Sequence, residues 1–393
     1  MALRAATVRD RMSPHALTTA TGAITVDLGQ IARNWQALAD RVAPAACAAV
    51  VKADAYGLGA ARVIPVLRRA GCTTFFIATP DEAEVARKLA PSATIYALDG
   101  LLGGAAAETF ARLNVHPILS TLDDVLAWRA LAQRTSADRD GAPLAAGLHI
   151  DTGLNRLGLT SRAVRELTSD ASQLSGITLS LVMSHLASAD APRDPKNRDQ
   201  LLAFETLSAL FPRVQRSLAA SDGLMLGGDY YFDLVRPGYA LYGGQASETF
   251  PAPVKPTVTV TARILAVADV GVGESVGYSA TWRAKRQTRI ATIAAGYADG
   301  VPRGASAGEG QIGGEVLICG HTAPIVGRVS MDLITVDVTD LPEGAAQPGG
   351  SVTLIGPGLS IERAGYAAGT IGYEILTRLG TRFARLYLDD EAG

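Results

Sequence analysis

The chain has 393 residues, 48% hydrophobic and 19% charged, enough for a sizeable core in two domains or in one barrel with an appendage. A net charge of −2 with no basic run leaves no footprint for nucleic acid or an anionic membrane. No apolar stretch approaches the roughly 18 to 20 residues of a membrane-spanning helix, and Cys47, Cys72 and Cys319, far apart and without zinc or CxxC spacing, suit a reducing cytoplasm and no metal.

Residues 1–22 carry charges without a continuous apolar segment, so they read as a loose tail rather than a signal peptide. From about Ile24 to Gly244 short apolar runs alternate with amphipathic ones. The runs read as strands at Ala48–Val51, Phe75–Ala78, Ile95–Leu98, Pro117–Leu119, Ala146–Ile150, Leu179–Ser184, Val214–Ala219 and Phe232–Val235. Helices are expected at Gln30–Arg41, Ala60–Ala70, Asp81–Leu89, Ala105–Arg112, Leu122–Arg134, Ser161–Ser169 and Asn197–Leu210. Eight apolar strands separated by helices predict a closed (β/α)8 TIM barrel over residues 23–250. A doubly wound open sheet is the rival arrangement, but no GxGxxG follows the first strand to favour it.

Beyond Pro256 the texture becomes β-rich. Strands are expected at Val258–Ala268, Arg289–Ala294, Glu315–Ile318, Ala323–Arg328, Thr335–Val338 and Ser351–Ile355, with one closing helix over Glu362–Leu379. This predicts a mainly β C-terminal domain over 251–393, joined through the stiff PAPVKP connection around Thr249–Pro256. The strand-like Ala23–Asp27 is a candidate to pair with this second domain.

A barrel holds its active site at the C-terminal ends of its strands. The first strand ends in Val50-Val51-Lys52, and a lysine there is either a solvated strand end or a Schiff-base lysine. Strand seven ends at Ser221-Asp222-Gly223 and strand eight at Arg236-Pro237-Gly238-Tyr239, the loops on which barrels often bind phosphate. With Lys52 on the same rim, they suggest a phosphorylated aldehyde cofactor held at both ends. Strand five leads through His149 to Arg156, a donor for a phenolate oxygen. Strand six ends at His185, either a structural histidine or a ring-stacking one.

The segments VVKADAYGLG, DTGLNRLGL, MSHLASAD, FDLVRPGYALYG, the GYS around Tyr278, AGYADG, IVGRVSMDL and IGYEILTRL occur in one order, from about Ile24 to Tyr387. In them the chain resembles the alanine racemases, pyridoxal-phosphate enzymes of fold-type III. The resemblance implies a cytoplasmic homodimer that interconverts L-alanine and D-alanine with pyridoxal 5'-phosphate, either to supply D-alanine for a cell wall or to catabolise one enantiomer. It implies that Lys52 binds the cofactor and serves as one acid/base, and that Tyr278 is the other, arriving from the partner subunit with Met331. It implies that Tyr56, Ser221, Gly238, Tyr239 and Tyr373 hold the phosphate and that Arg156 meets the phenolic oxygen. His185 would lie beside the ring, Arg236 at the pyridine nitrogen, and Tyr297 would line the way in. Asp332 would support the Met331 loop. The chain departs from the family pattern in having His149 where a lysine, often carbamylated, orients the arginine; His149 itself, an anion or water would hold Arg156 instead. It departs also at Ala220, where asparagine is common, and at Ser330, often cysteine.

Three alternatives remain beside this reading. A decarboxylase of the same fold type would place a carboxylate at the ring nitrogen, where this chain has Arg236. A non-catalytic cofactor carrier would lack the second domain. A racemase of broader specificity, for example toward serine, would differ only in pocket width.

Overall fold

The computed structural model describes residues 20–245 and 252–389. Most of the expected loose tail (1–19) and the start of the expected connection (249–251) lie outside the described residues. The chain divides into two compact units, one of residues 31–241 with 252–254, the other of 20–30, 242–245 and 255–389.

The first unit is a closed parallel barrel. Its strands run Ala46–Cys47 with Ala49–Val50, Thr74–Ile77, Thr94–Ala97, His116–Leu119, Leu144–His149, Ile177–Met183, Gln215–Ser217 and Leu234–Val235. Sequential neighbours pair in parallel from the first strand to the seventh. Asp233 and Arg236 donate their amides to Arg216 O and Ala219 O, joining strand eight to strand seven. Leu234 and Val235 pair with Ala46 and Cys47, which brings the eighth strand back to the first. The sequence therefore places all eight strands within a few residues, because most are short apolar runs with buried ends.

The helices start where polar caps meet apolar periodicity. Thr79 and Glu82 form a capping box on helix Pro80–Leu89, and Thr121 with Asp124 does the same for Leu122–Arg134. Thr160 and Asp194 cap Ser161–Ser169 and Pro195–Ser208. Inside, Phe76 and Tyr96 lie in register and stack with ring centroids 4.9 Å apart. The Tyr96 hydroxyl and His116 Nδ1 both meet Ser180 Oγ, at 3.1 and 3.0 Å, so these three polar groups satisfy one another.

The second unit is a β-rich body built on the long strand Val258–Val270. Its first half pairs with Gly22–Asp27 and Ser351–Ile355, and its second half with Thr288–Ile293. A register shift between Ile264 and Ala266 separates the halves. Gly22–Asp27 pairs on its other side with Ala384–Leu388, a strand the sequence pattern left unassigned. Two expectations are corrected here. The helix expected over Glu362–Leu379 is two helices, Ile361–Ala367 and Gly372–Thr377. Gly369 takes the left-handed φ of 69° between them and stops the first, while Thr370 N–H folds back to Gly365 O. The strand expected over Ala323–Arg328 runs His321–Pro324, as the hairpin partner of Glu315–Ile318. Its end falls at Pro324, which lacks the amide a ladder needs. No helix among the described residues is long and apolar enough to cross a membrane.

Candidate active site

Lys52 is half-buried where the first barrel strand ends. The backbone then turns the wrong way for L-residues: Ala53, Asp54, Ala55 and Tyr56 all have φ between 53° and 57°. Each such residue costs roughly 1–2 kcal/mol, so the turn must be held by hydrogen bonds. Holding it are Ala55 N–H to Val51 O at 2.9 Å, Gly57 N–H to Ala53 O at 2.7 Å and the Asp54 carboxylate on Ala60 N–H at 2.7 Å. Glu82 takes the Ala53 amide at 2.6 Å.

The left-handed turn ends at Tyr56, whose ring is buried. Burial first, and the Asp222 charge second, push the phenol above its ordinary range, so it keeps its proton and acts as a donor. Its hydroxyl sits against Gly238, where a Cβ would come within 2.3 Å of it. Glycine at 238 is thus a requirement of space. Ser221 Oγ accepts the amides of Gly238 and Ala240 at 3.0 and 3.1 Å. With both lone pairs engaged, the hydroxyl has its proton left to give, which is the form that meets an anion. The Gly238 amide is thus engaged with Ser221. Tyr239 is fully buried beside these two.

Arg236 is buried, and its guanidinium donates to Ser217 Oγ at 2.5 Å, Ser184 O at 2.7 Å and Leu218 O at 3.4 Å. All three partners are neutral, and the group also lies 5.9 Å above the Phe76 ring. Burial brings its pKa down to about 9, which still leaves it charged at neutral pH. Burial, then Arg236, Arg156, His149 and Lys52, hold His185 down to about 3. Burial and Arg236 hold His149 to about 4, with Asp151 pulling the other way and Arg156 adding to the depression. Both imidazoles are therefore neutral among three cations. Arg156 is exposed on the loop after strand five, and among the described residues no hydrogen bond joins it to His149. The two are coupled through charge.

The barrel thus gathers Lys52, Tyr56, Arg156, His185, Ser221, Arg236, Gly238 and Tyr239 at the strand ends. The remaining residues belong to the second unit. Tyr278, Met331 and Tyr297 are 69%, 53% and 44% exposed there, and Tyr373 is half-buried in helix Gly372–Thr377.

Several supporting residues were not singled out in the sequence. Asp151 Oδ1 takes the Gly153 and Asn155 amides at 2.9 and 3.1 Å and so shapes the Arg156 loop; an aspartate two before a glycine was the available signal. Glu82 was marked by its capping box alone. Gln200 and Ser217 carried no signal beyond their polarity.

A parallel barrel with a lysine and a buried arginine at its C-terminal rim, together with a separate β-rich unit, defines a barrel enzyme that takes an anionic ligand at that rim. The family models described as alanine racemase N-terminal domain and C-terminal domain match residues 26–246 and 257–387. The chain belongs to the alanine racemase family. It is 45% identical over 366 residues to the alanine racemase of Methylobacterium sp. (strain 4-46), covering 93% of this chain and 97% of that one. It is 42% identical over 371 residues to the biosynthetic alanine racemase of Agrobacterium fabrum, covering 93% of each. The crystal structure of alanine racemase from Bartonella henselae with covalently bound pyridoxal phosphate superposes with a TM-score of 0.87 at 39% identity, covering 94% of this chain and 99% of that chain.

Proposed function

We propose that the protein interconverts L-alanine and D-alanine with pyridoxal 5'-phosphate bound at the barrel rim, Lys52 and Tyr278 serving as its two acid/bases. The observation that carries the reading is the buried Arg236 with neutral partners on the same rim as Lys52. A phosphorylated aldehyde fits these residues: an amine to conjugate, a serine and a tyrosine with protons to donate, and cations around neutral imidazoles.

When bound, pyridoxal phosphate supplies an electron sink that makes the substrate's α-proton removable. Lys52 would hold the cofactor, and its Nζ would take or return the α-proton on one face. The Tyr278 hydroxyl does the same on the other, so one proton leaves and one arrives in each turnover. Ser221, Tyr56, Tyr239, Tyr373 and the Gly238 turn hold the phosphate. Arg156 would meet the phenolic oxygen, and His185 would pack beside the ring. Arg236 would serve the ring nitrogen as a donor that does not give up its proton, which would keep that nitrogen neutral. A decarboxylase would want a carboxylate there.

Tyr278 and Met331, exposed in one chain, are supplied by a second copy in a C2 homodimer, and Tyr297 lines the way in. The setting we propose is the cytoplasm and the role is D-alanine supply for a cell wall. The test incubates the protein and pyridoxal phosphate with L-alanine in D2O. Loss of optical rotation matched by loss of the α-proton signal, without carbon dioxide, is expected. Exchange with rotation retained would remove Tyr278 from its role, and release of carbon dioxide would replace the reaction altogether.

A further inference from the structure

The left-handed turn after Lys52 is braced unequally at its two ends. Its later half is tied within the segment, through Gly57 N–H to Ala53 O at 2.7 Å, Gly59 N–H to Asp54 O at 2.9 Å and Ala60 N–H to Asp54 Oδ1 at 2.7 Å. Its start is not. Val51 O is already taken by Ala55 N–H, and the Ala53 amide, the first after Lys52, goes to Glu82 Oε1 at 2.6 Å. Glu82 lies in the first turn of helix Pro80–Leu89, after the second barrel strand. Its second oxygen takes the amides of Ala78 and Thr79 at 2.7 and 3.4 Å, closing the N-terminus of helix Pro80–Leu89.

Two strands further on, the same capping task is done by a shorter acid. Asp124 Oδ2 takes the Ser120 and Thr121 amides at 3.0 and 3.1 Å, and Thr121 Oγ1 takes the Asp124 amide at 3.0 Å. An aspartate therefore suffices for the cap in this barrel. The extra methylene at position 82 is what lets one carboxylate also reach Ala53.

We propose that Glu82 is a positioning residue for Lys52: its carboxylate bridges the second βα loop to Ala53 and fixes the left-handed turn that runs from the lysine to Tyr56. This inference rests on the reading that Lys52 carries the cofactor, and deepens it. A turn of four left-handed L-residues relaxes when its first amide loses a charged acceptor, because an unheld backbone returns to the right-handed region. The lysine at one end and the phosphate-holding tyrosine at the other then lose their common register, and the amine spends less time where it can conjugate.

The test uses Glu82→Asp, which keeps a carboxylate at the cap position and withdraws it from Ala53. Asp124→Ala serves as the control, since it removes an equivalent cap that touches no such turn. Full-length protein stripped of cofactor is mixed with pyridoxal phosphate. The borohydride-reducible link at Lys52 is followed in time, its absorbance is titrated with pH, and thermal melting is recorded alongside. Glu82→Asp is expected to melt within about 2 °C of the parent yet form the link about tenfold more slowly, with a displaced pH midpoint. Asp124→Ala is expected to melt lower and form the link at the parent rate. Link formation by Glu82→Asp at the parent rate would overturn the role of Glu82 while leaving Lys52 as the attachment point. A large melting loss in Glu82→Asp would overturn it too, since the shorter acid would have failed at the cap. A parent protein that forms no reducible link at Lys52 would remove both this inference and the reading beneath it.

Discussion

Gln200 donates its side-chain amide to the His185 carbonyl at 2.9 Å from inside helix Pro195–Ser208, where no water reaches it. The same Nε2 reaches Thr152 Oγ1 at 3.2 Å, and Oε1 takes the Ala187 amide at 2.8 Å. Thr152 Oγ1 meets Ser184 Oγ at 2.8 Å, and Ser184 O accepts from Arg236. One buried amide thus stitches the ends of strands five and six beneath the two imidazoles and the arginine.

Gln200→Leu keeps the volume and strands two polar groups, the His185 carbonyl and the Ala187 amide, so it should cost about 3 kcal/mol in urea unfolding of the cofactor-free protein. kcat should fall more than KM rises, because His185 and Arg236 lose their footing together. A loss below about 1 kcal/mol would mean that water takes over the amide's bonds.

The two imidazoles at the mouth set a pH dependence with a definite sign. Unfolded, each takes its proton near 6.5; folded, burial and the neighbouring cations hold His149 at about 4 and His185 at about 3. Between those values the unfolded chain binds more protons, so this contribution is fully present above about 6.5 and is lost as pH falls toward 4. For His149 the loss amounts to about 3 kcal/mol at pH 4. His149→Asn should flatten the fall in unfolding free energy between pH 6.5 and 4 by about that amount, and chemical denaturation at a series of pH values reads it directly. Parallel curves for parent and variant would show that His149 titrates alike in both states.

The parts of this molecule that follow local rules were legible in the chain. Thr79-Pro80-Asp81-Glu82 marks a helix start because a threonine and an acid three residues apart can satisfy each other's amides. Phe75-Phe76-Ile77 marks a strand because it is apolar throughout. Lys52-Ala53-Asp54-Ala55-Tyr56 offers no such sign: alanine favours the right-handed helix, and the left-handed turn is held by Glu82 reaching in from elsewhere and by Asp54 reaching out to the Ala60 amide. The helical periodicity of Glu362–Leu379 ran across a break that only Gly369 could have announced. Gln200 lies among polar neighbours in its helix, and its burial comes from loops distant in the chain.

Gly238 and Tyr56 constrain each other from two loops. A Cβ at 238 would stand 2.3 Å from the Tyr56 hydroxyl, 2.9 Å from its ring carbon and 3.1 Å from Val50 Cβ. The ring cannot retreat, because it is buried. Gly238→Ala should cost about 1–3 kcal/mol in stability and weaken pyridoxal phosphate binding about tenfold, as measured by absorbance titration. Adding Tyr56→Phe removes the closest contact and should restore part of the stability but not the cofactor affinity, since the phenol proton is lost. Full affinity in Gly238→Ala would place the phosphate away from this turn.

In the second unit Asp299 receives the Arg382 guanidinium on both oxygens, Nε at 2.8 Å and Nη2 at 2.7 Å. Its side chain is 1% exposed against 46% for the arginine. Asp299 Oδ2 also takes the Gly296 amide at 2.9 Å, while Arg382 Nη1 reaches Asp332 at 2.6 Å. Tyr297 and Ala298 donate to Ser330 O and Met331 O, both at 3.0 Å. The loops bearing Tyr297 and Met331 are therefore latched to each other through one fork. Removing the arginine leaves a buried carboxylate that has lost its countercharge, whereas removing Asp332 breaks only an exposed pair. Arg382→Ala should lower the melting temperature by about 5 °C and raise KM for alanine, and Asp332→Ala should move it by about 1 °C. Arg382→Lys keeps the charge without the two-pronged geometry and should fall between them. Equal melting shifts in the alanine variants would show that the loops are held by their backbone bonds alone, and that the buried half of the network adds nothing to the latch.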